Sequence, residues 1–285
     1  MIGSVLVVGG GTMGRGIAQA VAAAGVPTTI CEVSAELAQK AKAAIEQSLQ
    51  RALEKQKVTA AQMCDALAKI AVTDRLSDGA GVDLVIEAII EDLGAKQELF
   101  RKLEAVVAAE AILATNTSAL SVTAVASVCA RPERVLGLHF FNPVPAMKLV
   151  EVIRGSRTSD RTVAAAIGFA GQIGKVPVEV KDMPGFVVNR LLIPAINEAA
   201  YACQEGVADR KAIDTAMELG AGYPMGPLAL ADMIGIDIVV EILETFEREW
   251  TNPRYRPCPL LKEMVKAGAL GRKTGRGFFE YPAKR

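Results

Sequence analysis

The first two thirds of the chain alternate short β-branched runs with longer helical stretches. Segments rich in Ala, Leu, Lys, Glu and Gln, such as Glu36–Lys55 and Leu93–Ala109, separate several of the runs. This alternation favours parallel pairing and a doubly wound sheet, so residues 1–183 are predicted to form a Rossmann-like domain. The predicted strands are Ser4–Val8, Pro27–Cys31, Leu84–Ala88, Ala111–Thr115, Val135–His139, Lys148–Arg154 and Val176–Val180.

After Pro184-Gly185 the pattern becomes almost entirely helical. An all-helical C-terminal domain is therefore predicted over residues 184–285, which makes the chain an α/β protein with two domains. The segment Pro227–Leu243 is apolar on more than one helical face. Such a helix is either central to its own bundle or buried in a homodimer, and both interpretations stay open. The predicted helices are Val188–Glu205, Arg210–Leu219, Pro227–Trp250 and Pro259–Ala267.

Composition narrows the classes of function. The 285 residues carry 32 basic and 32 acidic side chains, so no global basic field favours nucleic acid or an anionic membrane. A single histidine and five scattered cysteines argue against a metal site and against a disulfide framework. No uncharged apolar run approaches the ~18 residues of a membrane span, and no leader pattern precedes the first strand. We expect a cytoplasmic protein without a resident metal.

A glycine-rich turn follows the first predicted strand. Gly9, Gly11 and Gly14 fit the spacing G-x-G-x-x-G, and a predicted helix, Met13–Ala24, begins within it. These glycines permit a tight turn, close approach of a pyrophosphate and close helix–strand packing, while Thr12 and Met13 lie where helix N–H groups attract anions. Glu32 ends the second strand about 20 residues later, where a carboxylate accepts from ribose hydroxyls and repels a 2′-phosphate. The pattern predicts NAD binding; a glycine turn with an unrelated glutamate is the alternative.

His139 is the one imidazole, at the carboxyl end of a predicted strand. Ligands of open α/β sheets bind at such ends, which favours a catalytic role over that of an ordinary core histidine. Glu151 follows in the next strand and is predicted to orient His139 as a general base. An ion pair of Glu151 with Lys148 or Arg154 is the alternative.

Polar residues in three other segments are weaker candidates. Ser118 follows the strand that ends at Thr115, and Asn189 begins the first C-terminal helix. Turn formation is the ordinary role of a serine such as Ser118. Asn189, in an otherwise apolar helix start, needs a polar partner, which a substrate could supply. Arg51 and Lys55 are one i, i+4 step apart, a spacing equally typical of a solvated helix face.

Several longer strings carry a resemblance to one family. The chain resembles the 3-hydroxyacyl-CoA dehydrogenases, especially the short bacterial 3-hydroxybutyryl-CoA type, nearly from end to end. The most specific strings are His139-Phe140-Phe141-Asn142-Pro143 and Pro184-Gly185-Phe186-Val187-Val188-Asn189-Arg190. The resemblance implies a Rossmann domain joined to a helical domain that dimerises. It also implies NAD-dependent, reversible oxidation of a (S)-3-hydroxyacyl-CoA to a 3-oxoacyl-CoA, and leaves chain length and pathway, fatty-acid β-oxidation among others, open.

The resemblance also implies residue roles. His139 is expected to be the base, Glu151 its orienting carboxylate, and Ser118 and Asn189 the side chains that bind substrate oxygens. NAD contacts are expected from Glu91, Lys96, Ser118, Asn142 and Lys273, and acyl-CoA contacts from Arg51, Lys55, Lys96, Ser118 and Asn189. Glu32 replaces the family's commoner Asp, and Glu54 interrupts the basic stretch beside Lys55. A dehydrogenase of a free hydroxy acid or sugar acid of the L-gulonate type, and a non-catalytic NAD-binding protein, are the alternatives.

Overall fold

The computed structural model describes residues 1–282. The chain divides into two compact units, Met1–Met183 and Pro184–Arg285. The first unit is a single sheet with helices on both faces, and the second contains helices and short 3-10 turns. The predicted fold class is confirmed.

The sheet of the first unit has eight strands in the order β3-β2-β1-β4-β5-β6-β7-β8. Strands β1 to β6 are all parallel, and the chain changes direction across the sheet between β1 and β4, as in dinucleotide-binding folds. The strands are β1 (Val5–Val8), β2 (Thr28–Cys31), β3 (Ile70–Thr73), β4 (Leu84–Glu87), β5 (Ile112–Thr115), β6 (Val135–Phe140), β7 (Leu149–Arg154) and β8 (Val176–Lys181).

Two apolar clusters cover the two faces of the sheet. Val5 and Val7 belong to one cluster, whereas Leu6 and Val8 belong to the other, because successive side chains of a strand point to opposite faces. The helices of this unit are α1 (Thr12–Ala23), α2 (Ala35–Glu54), α3 (Ala60–Ala68), α4 (Leu93–Val106), α5 (Val122–Ala126) and α6 (Asp160–Gln172).

The structure adds four elements to the predicted list and corrects the direction of one strand pairing. Strand β3 and helices α3, α5 and α6 were not predicted. Helix α6 contains Gly168 and Gly171, which weaken its intrinsic propensity, so burial of Phe169 and its neighbours holds it. Strand β7 runs antiparallel to β6, which the general expectation of parallel pairing does not describe.

The second unit buries one core of its own. Ile193, Leu228, Val239, Phe246 and Tyr255 are among its members, each at most 1% exposed. Its helices are α7 (Val188–Gln204), α8 (Arg210–Ala221), α9 (Pro227–Ile234), α10 (Ile236–Trp250) and α11 (Pro259–Lys266).

The prediction of one helix over Pro227–Trp250 is wrong. Helices α9 and α10 are separated at Gly235, whose φ of 110° lies outside the helical region and is open to glycine. The change of direction explains why the segment is apolar on more than one face, since each short helix buries its own stripe in the same core. The apolar pattern of Pro227–Leu243 is therefore explained by the core of this unit and no longer argues for a homodimer.

Phe246→Ala should lower the free energy of unfolding by about 3–5 kcal/mol, because the ring is 1% exposed and leaves a cavity. The Trp250 and Tyr255 rings that pack against it lie 5.3 and 5.7 Å away. Urea unfolding measures the change. Leu219→Ala, at an 83% exposed position of the same unit, is the control and should change stability by at most ~0.5 kcal/mol. A loss below ~1 kcal/mol for Phe246→Ala would contradict the packing.

Candidate active site

The glycine loop joins β1 to α1 and has the geometry of an anion site. A Cβ on Gly14 would lie 1.8 Å from the Gly9 carbonyl oxygen, whereas one on Gly11 would meet nothing within 4 Å. Gly14 is thus required for close packing, and Gly11 borders open space. Helix α1 begins at Thr12 without a side-chain cap, so the N–H groups of Thr12 and Met13 are directed away from the helix towards a ligand position.

Glu32 lies directly after β2 and contacts this loop. Its Oε1 accepts from the Gly10 N–H at 2.6 Å, and its Oε2 accepts from the Val33 N–H at 3.1 Å. The carboxylate is half-buried, and each oxygen retains further acceptor capacity for ribose hydroxyls. The structure therefore places Glu32 and the glycine loop together.

His139 and Glu151 are direct neighbours across the β6–β7 ladder. The two residues are register partners, and His139 Nδ1 lies 2.7 Å from Glu151 Oε2. The exposed fractions are 6% for His139 and 1% for Glu151, so the pair is shielded from water. Strand β6 continues through Phe140, so His139 is the penultimate residue of its strand and not the last. A shielded imidazole held by a carboxylate is suited to take up a proton.

The end of β6 is held by its neighbours. Asn116 Oδ1 accepts from the Phe140 N–H at 3.0 Å, and the Phe141 ring lies 4.4 Å from the imidazole centroid.

Asn142 follows and is exposed. Lys175, which carried no predicted role, donates to the carbonyls of the loop after Asn142, at Val144 (2.6 Å) and Met147 (2.7 Å). Burial lowers the pKa of the Lys175 ammonium.

Ser118 and Glu91 are brought together after β5 and β4. Glu91 Oε1 accepts from Ser118 N–H at 2.8 Å, Ala119 N–H at 3.1 Å and Thr117 Oγ1 at 2.6 Å. Burial alone raises the pKa of the Glu91 carboxyl, but the Lys96 charge and these hydrogen bonds outweigh it and lower the pKa. Glu91 is therefore an ionised anchor for the loop that carries Ser118.

Lys96 is buried on the inner side of this loop. Its Nζ lies 2.6 Å from Glu87 Oε1 and 3.3 Å from Glu91 Oε2, and both Lys96 and Glu87 are 0% exposed. The predicted contacts of Lys96 with NAD and acyl-CoA remain predictions, since the partners seen are protein carboxylates. The sequence analysis assigned no role to Glu87. The one feature that could have indicated a role is its position as an acidic residue at the end of an apolar strand.

Arg51 and Lys55 lie exposed at the end of α2. Arg51 lines a surface cavity of about 410 Å³ together with Glu46, Gln47, Gln50 and Met63. No carboxylate within the described residues forms an ion pair with either cation, and Glu54 instead accepts from Gln50 at 3.4 Å. The two cations are available to an anionic ligand.

Two predicted residues belong to the second unit. Asn189 is the second residue of α7 and is half-buried. Lys273 lies in a 3-10 turn, where its Nζ is 2.5 Å from Asp237 Oδ2. Their predicted roles towards substrate and NAD remain predictions.

Residues 1–282 contain no group of three or more His, Cys, Asp and Glu side chains arranged to hold a metal ion. No helix in this range is long and apolar enough to cross a membrane.

Comparison with known proteins decides the family. Residues 4–183 match the model of the 3-hydroxyacyl-CoA dehydrogenase NAD binding domain, and residues 185–281 match the C-terminal domain of the same family. The chain belongs to the 3-hydroxyacyl-CoA dehydrogenase family. The resemblance expected from the His139 and Asn189 strings is confirmed.

Individual members of the 3-hydroxyacyl-CoA dehydrogenase family are similar over their whole length. The chain is 47% identical over 283 residues to a probable 3-hydroxybutyryl-CoA dehydrogenase of Bacillus subtilis, covering 99% of each chain. It is 46% identical over 281 residues to a 3-hydroxybutyryl-CoA dehydrogenase of Bradyrhizobium diazoefficiens, covering 99% of this chain and 96% of that one. A crystal structure of (S)-3-hydroxybutyryl-CoA dehydrogenase from Ralstonia eutropha superposes with a TM-score of 0.96 at 46% identity, covering 99% and 100%.

NAD is the cofactor that the family model implies, and the residues of the first unit fit it. The open space at Gly11 and the uncapped start of α1 suit a pyrophosphate. Glu32 is placed to accept from ribose hydroxyls, and its charge disfavours a 2′-phosphate. The Glu32 side chain also reaches the glycine loop through its hydrogen bond with Gly10.

Glu91→Gln should destabilise the protein more at about pH 7 than at about pH 3. The folded-state pKa of Glu91 is lowered from 4.5, so the ionised carboxylate contributes stability above that value. The contribution is lost as the pH falls through the folded-state pKa. Urea unfolding of both proteins across this range measures the difference in free energy. A difference independent of pH would show that the charge of Glu91 does not stabilise the loop.

Proposed function

We propose that this protein catalyses the reversible, NAD-dependent oxidation of a short-chain (S)-3-hydroxyacyl-CoA, such as 3-hydroxybutyryl-CoA, to the 3-oxoacyl-CoA. The observation that carries the proposal is the shielded pair His139–Glu151, with Nδ1 and Oε2 2.7 Å apart at the carboxyl edge of an NAD-binding sheet. The names of the similar enzymes in Bacillus subtilis and Ralstonia eutropha support the substrate class.

His139 acts as the general base. Since its Nδ1 faces a carboxylate, that nitrogen carries the proton, and the neutral tautomer has its lone pair on Nε2. Nε2 takes the proton of the substrate hydroxyl, and Glu151 stabilises the imidazolium that forms. NAD, when bound, would supply the acceptor for the hydride that leaves the carbon bearing this hydroxyl. The substrate thus loses one proton, which His139 takes, and one hydride.

Ser118 and Asn142 lie on loops at the carboxyl ends of β5 and β6. We propose that Ser118 donates a hydrogen bond to a substrate oxygen. We also propose that Ser118 and Asn142 both contact the nicotinamide end of the cofactor. The support is their place at this edge of the sheet together with family membership. Family membership alone supports Asn189 as a substrate-binding residue and Lys273 as a cofactor-binding residue.

The CoA nucleotide is assigned to the exposed cations Arg51 and Lys55. Its phosphates are highly charged, and the end of α2 presents both cations without an acidic partner among the described residues. Glu54 lies between them in sequence and lowers the local positive charge. The overall neutrality of the chain thus conceals a local basic site.

Two further properties belong to this proposal. We place the protein in the cytoplasm, on its similarity to bacterial 3-hydroxybutyryl-CoA dehydrogenases. We also propose a homodimer formed by the helical unit, which exposes the apolar side chains Leu191 (70%), Val207 (73%) and Met233 (49%).

A same-fold dehydrogenase of a free hydroxy acid or sugar acid would share the cofactor site and the His139–Glu151 pair. It would have no use for cations at the end of α2. NADH oxidation with acetoacetyl-CoA and with free acetoacetate separates the two activities. Turnover of acetoacetyl-CoA alone supports the proposal, and turnover of the free acid alone contradicts it. Turnover of neither compound would favour a non-catalytic NAD-binding protein.

His139→Ala should lower kcat at least ~10²-fold, the ordinary contribution of a general base, and leave NADH binding largely intact. NADH oxidation with acetoacetyl-CoA measures turnover, and NADH fluorescence measures binding. Glu151→Gln keeps the shape of the pair and removes its charge, so it should lower kcat by a smaller factor and alter the pH–rate profile. Near wild-type turnover of His139→Ala would refute the assignment of the base.

Arg51→Ala combined with Lys55→Ala should raise KM for acetoacetyl-CoA about tenfold while kcat and KM for NADH stay close to wild type. The cations contact a remote part of the substrate, so their loss weakens binding in the ground state and transition state alike. Lys40→Ala combined with Arg101→Ala, at an exposed lysine and an exposed arginine outside this basic stretch, is the matched control and should leave KM unchanged. Equal effects of the two double variants would place the CoA elsewhere.

A further inference from the structure

Glu87 is a fully buried carboxylate to which the proposed reaction assigns no role. It ends β4 and is 0% exposed. Its Oε1 accepts from Lys96 Nζ at 2.6 Å and from the Ile89 N–H at 2.8 Å, and its Oε2 accepts from Thr115 Oγ1 at 2.6 Å. With a donor on each oxygen, the carboxylate is held in a single orientation.

Lys96 connects Glu87 to a second carboxylate. Its Nζ lies 2.6 Å from Glu87 and 3.3 Å from Glu91, and no part of the Lys96 side chain is exposed. A buried ammonium needs its counter-charges, since water cannot replace them. The shorter contact is to Glu87, so Glu87 determines where the ammonium lies relative to Glu91.

The two oxygens of Glu91 have divided partners. Oε2 faces Lys96, whereas Oε1 accepts from the backbone N–H groups of Ser118 and Ala119 and from Thr117 Oγ1. The Ser118 hydroxyl also lies 3.3 Å from Oε1. The position of the ammonium therefore sets the orientation of the carboxylate, and the carboxylate sets the position of residues 117–119.

We propose that Glu87 is a positioning residue for Ser118, acting through Lys96 and Glu91. The consequence for turnover rests on the proposed function, in which Ser118 binds substrate oxygen. In Glu87→Gln the amide keeps the shape and loses the charge, so its carbonyl oxygen can accept from Lys96 only as a neutral acceptor. Lys96 is then left with Glu91 as its one charged partner, which draws the carboxylate towards Nζ and away from the N–H groups of Ser118 and Ala119.

Hydrogen–deuterium exchange of the full-length protein without ligand tests the structural step. In Glu87→Gln the amides of residues 117–120 should exchange roughly tenfold faster than in wild type, as the weakening of a hydrogen bond to a charged group implies. Glu91→Gln should accelerate the same segment at least as much. Wild-type exchange of this segment in Glu87→Gln, with acceleration in Glu91→Gln, would overturn the proposal.

Glu104→Gln is the matched control. Glu104 lies on α4, the helix that carries Lys96. Its carboxylate accepts from the N–H groups of Ala130 (2.7 Å) and Arg131 (2.9 Å) and pairs with Arg134 at 3.5 Å. It should accelerate exchange around residues 130–131 and leave residues 117–120 unchanged. Acceleration of both segments by Glu87→Gln would show a general loss of stability and overturn a positioning role.

A mutant cycle tests the consequence for turnover. Glu87→Gln should lower kcat about tenfold and shift KM for NADH much less. In a background that carries both Lys96→Met and Glu91→Gln, in which no buried ammonium is left without a counter-charge, it should have almost no further effect on kcat. Independent effects that multiply in the combined variant would overturn transmission through Lys96 and Glu91. The Glu104→Gln variant should retain wild-type kcat.

The two measurements separate this proposal from the proposed function. If wild-type protein fails to turn over acetoacetyl-CoA, the function fails, and the exchange measurement still decides whether Glu87 orders residues 117–120. Thr115→Val replaces Glu87→Gln if the latter does not fold, because it removes one donor from Glu87 and keeps the side-chain shape. It should accelerate exchange of the same segment by a smaller factor, and no acceleration would overturn the proposal.

Discussion

Parallel pairing of the first six strands is the constraint on which the rest of the first unit depends. Parallel strands end at one edge of their sheet, so the loops that follow them are gathered there however far apart they lie in the chain. The glycine loop after β1, Glu32 after β2, Glu91 after β4, Ser118 after β5 and His139 near the end of β6 all lie along this edge. The residues that fit NAD and the proposed proton-transfer pair therefore share one border of one sheet.

The one reversal of direction in the sheet has a chemical consequence. Because β7 is antiparallel to β6, His139 and Glu151 are directly opposite each other with their side chains on the same face. A shift of the register by one residue would turn Glu151 to the other face and separate the pair. The apolar residues that flank both side chains in these strands hold the register, since each face is buried. Packing of the core thus fixes the orientation of His139, the proposed base.

Much of this architecture could be predicted from the sequence. Seven β-branched runs became strands, because residues of this kind pack well in a buried parallel sheet. Strand β3 escaped prediction because it is short and half-exposed at the sheet edge, and α3 carried only the capping-box signal of Thr59 and Gln62. Pairing of His139 with Glu151 was predicted because His139 ends one predicted strand and Glu151 lies within the next one along the chain. The burial of Lys96 between Glu87 and Glu91 was not, because the charge pattern of a helix does not show which cations point inward.

The sequence by itself determined the fold class, the glycine loop with its acid, and the family, because each of these is encoded in local spacing and residue type. Only the tertiary structure decided which donors hold the carboxylates of Glu87 and Glu91. Glu91 and Ser118 are 27 positions apart and Glu87 and Thr115 are 28 apart, and both pairs are joined by the β4–β5 register. Side chains that meet across a sheet leave no periodic signal along the chain. The physical reason is that burial lets a charge remain only where folding supplies an opposite charge or hydrogen bonds.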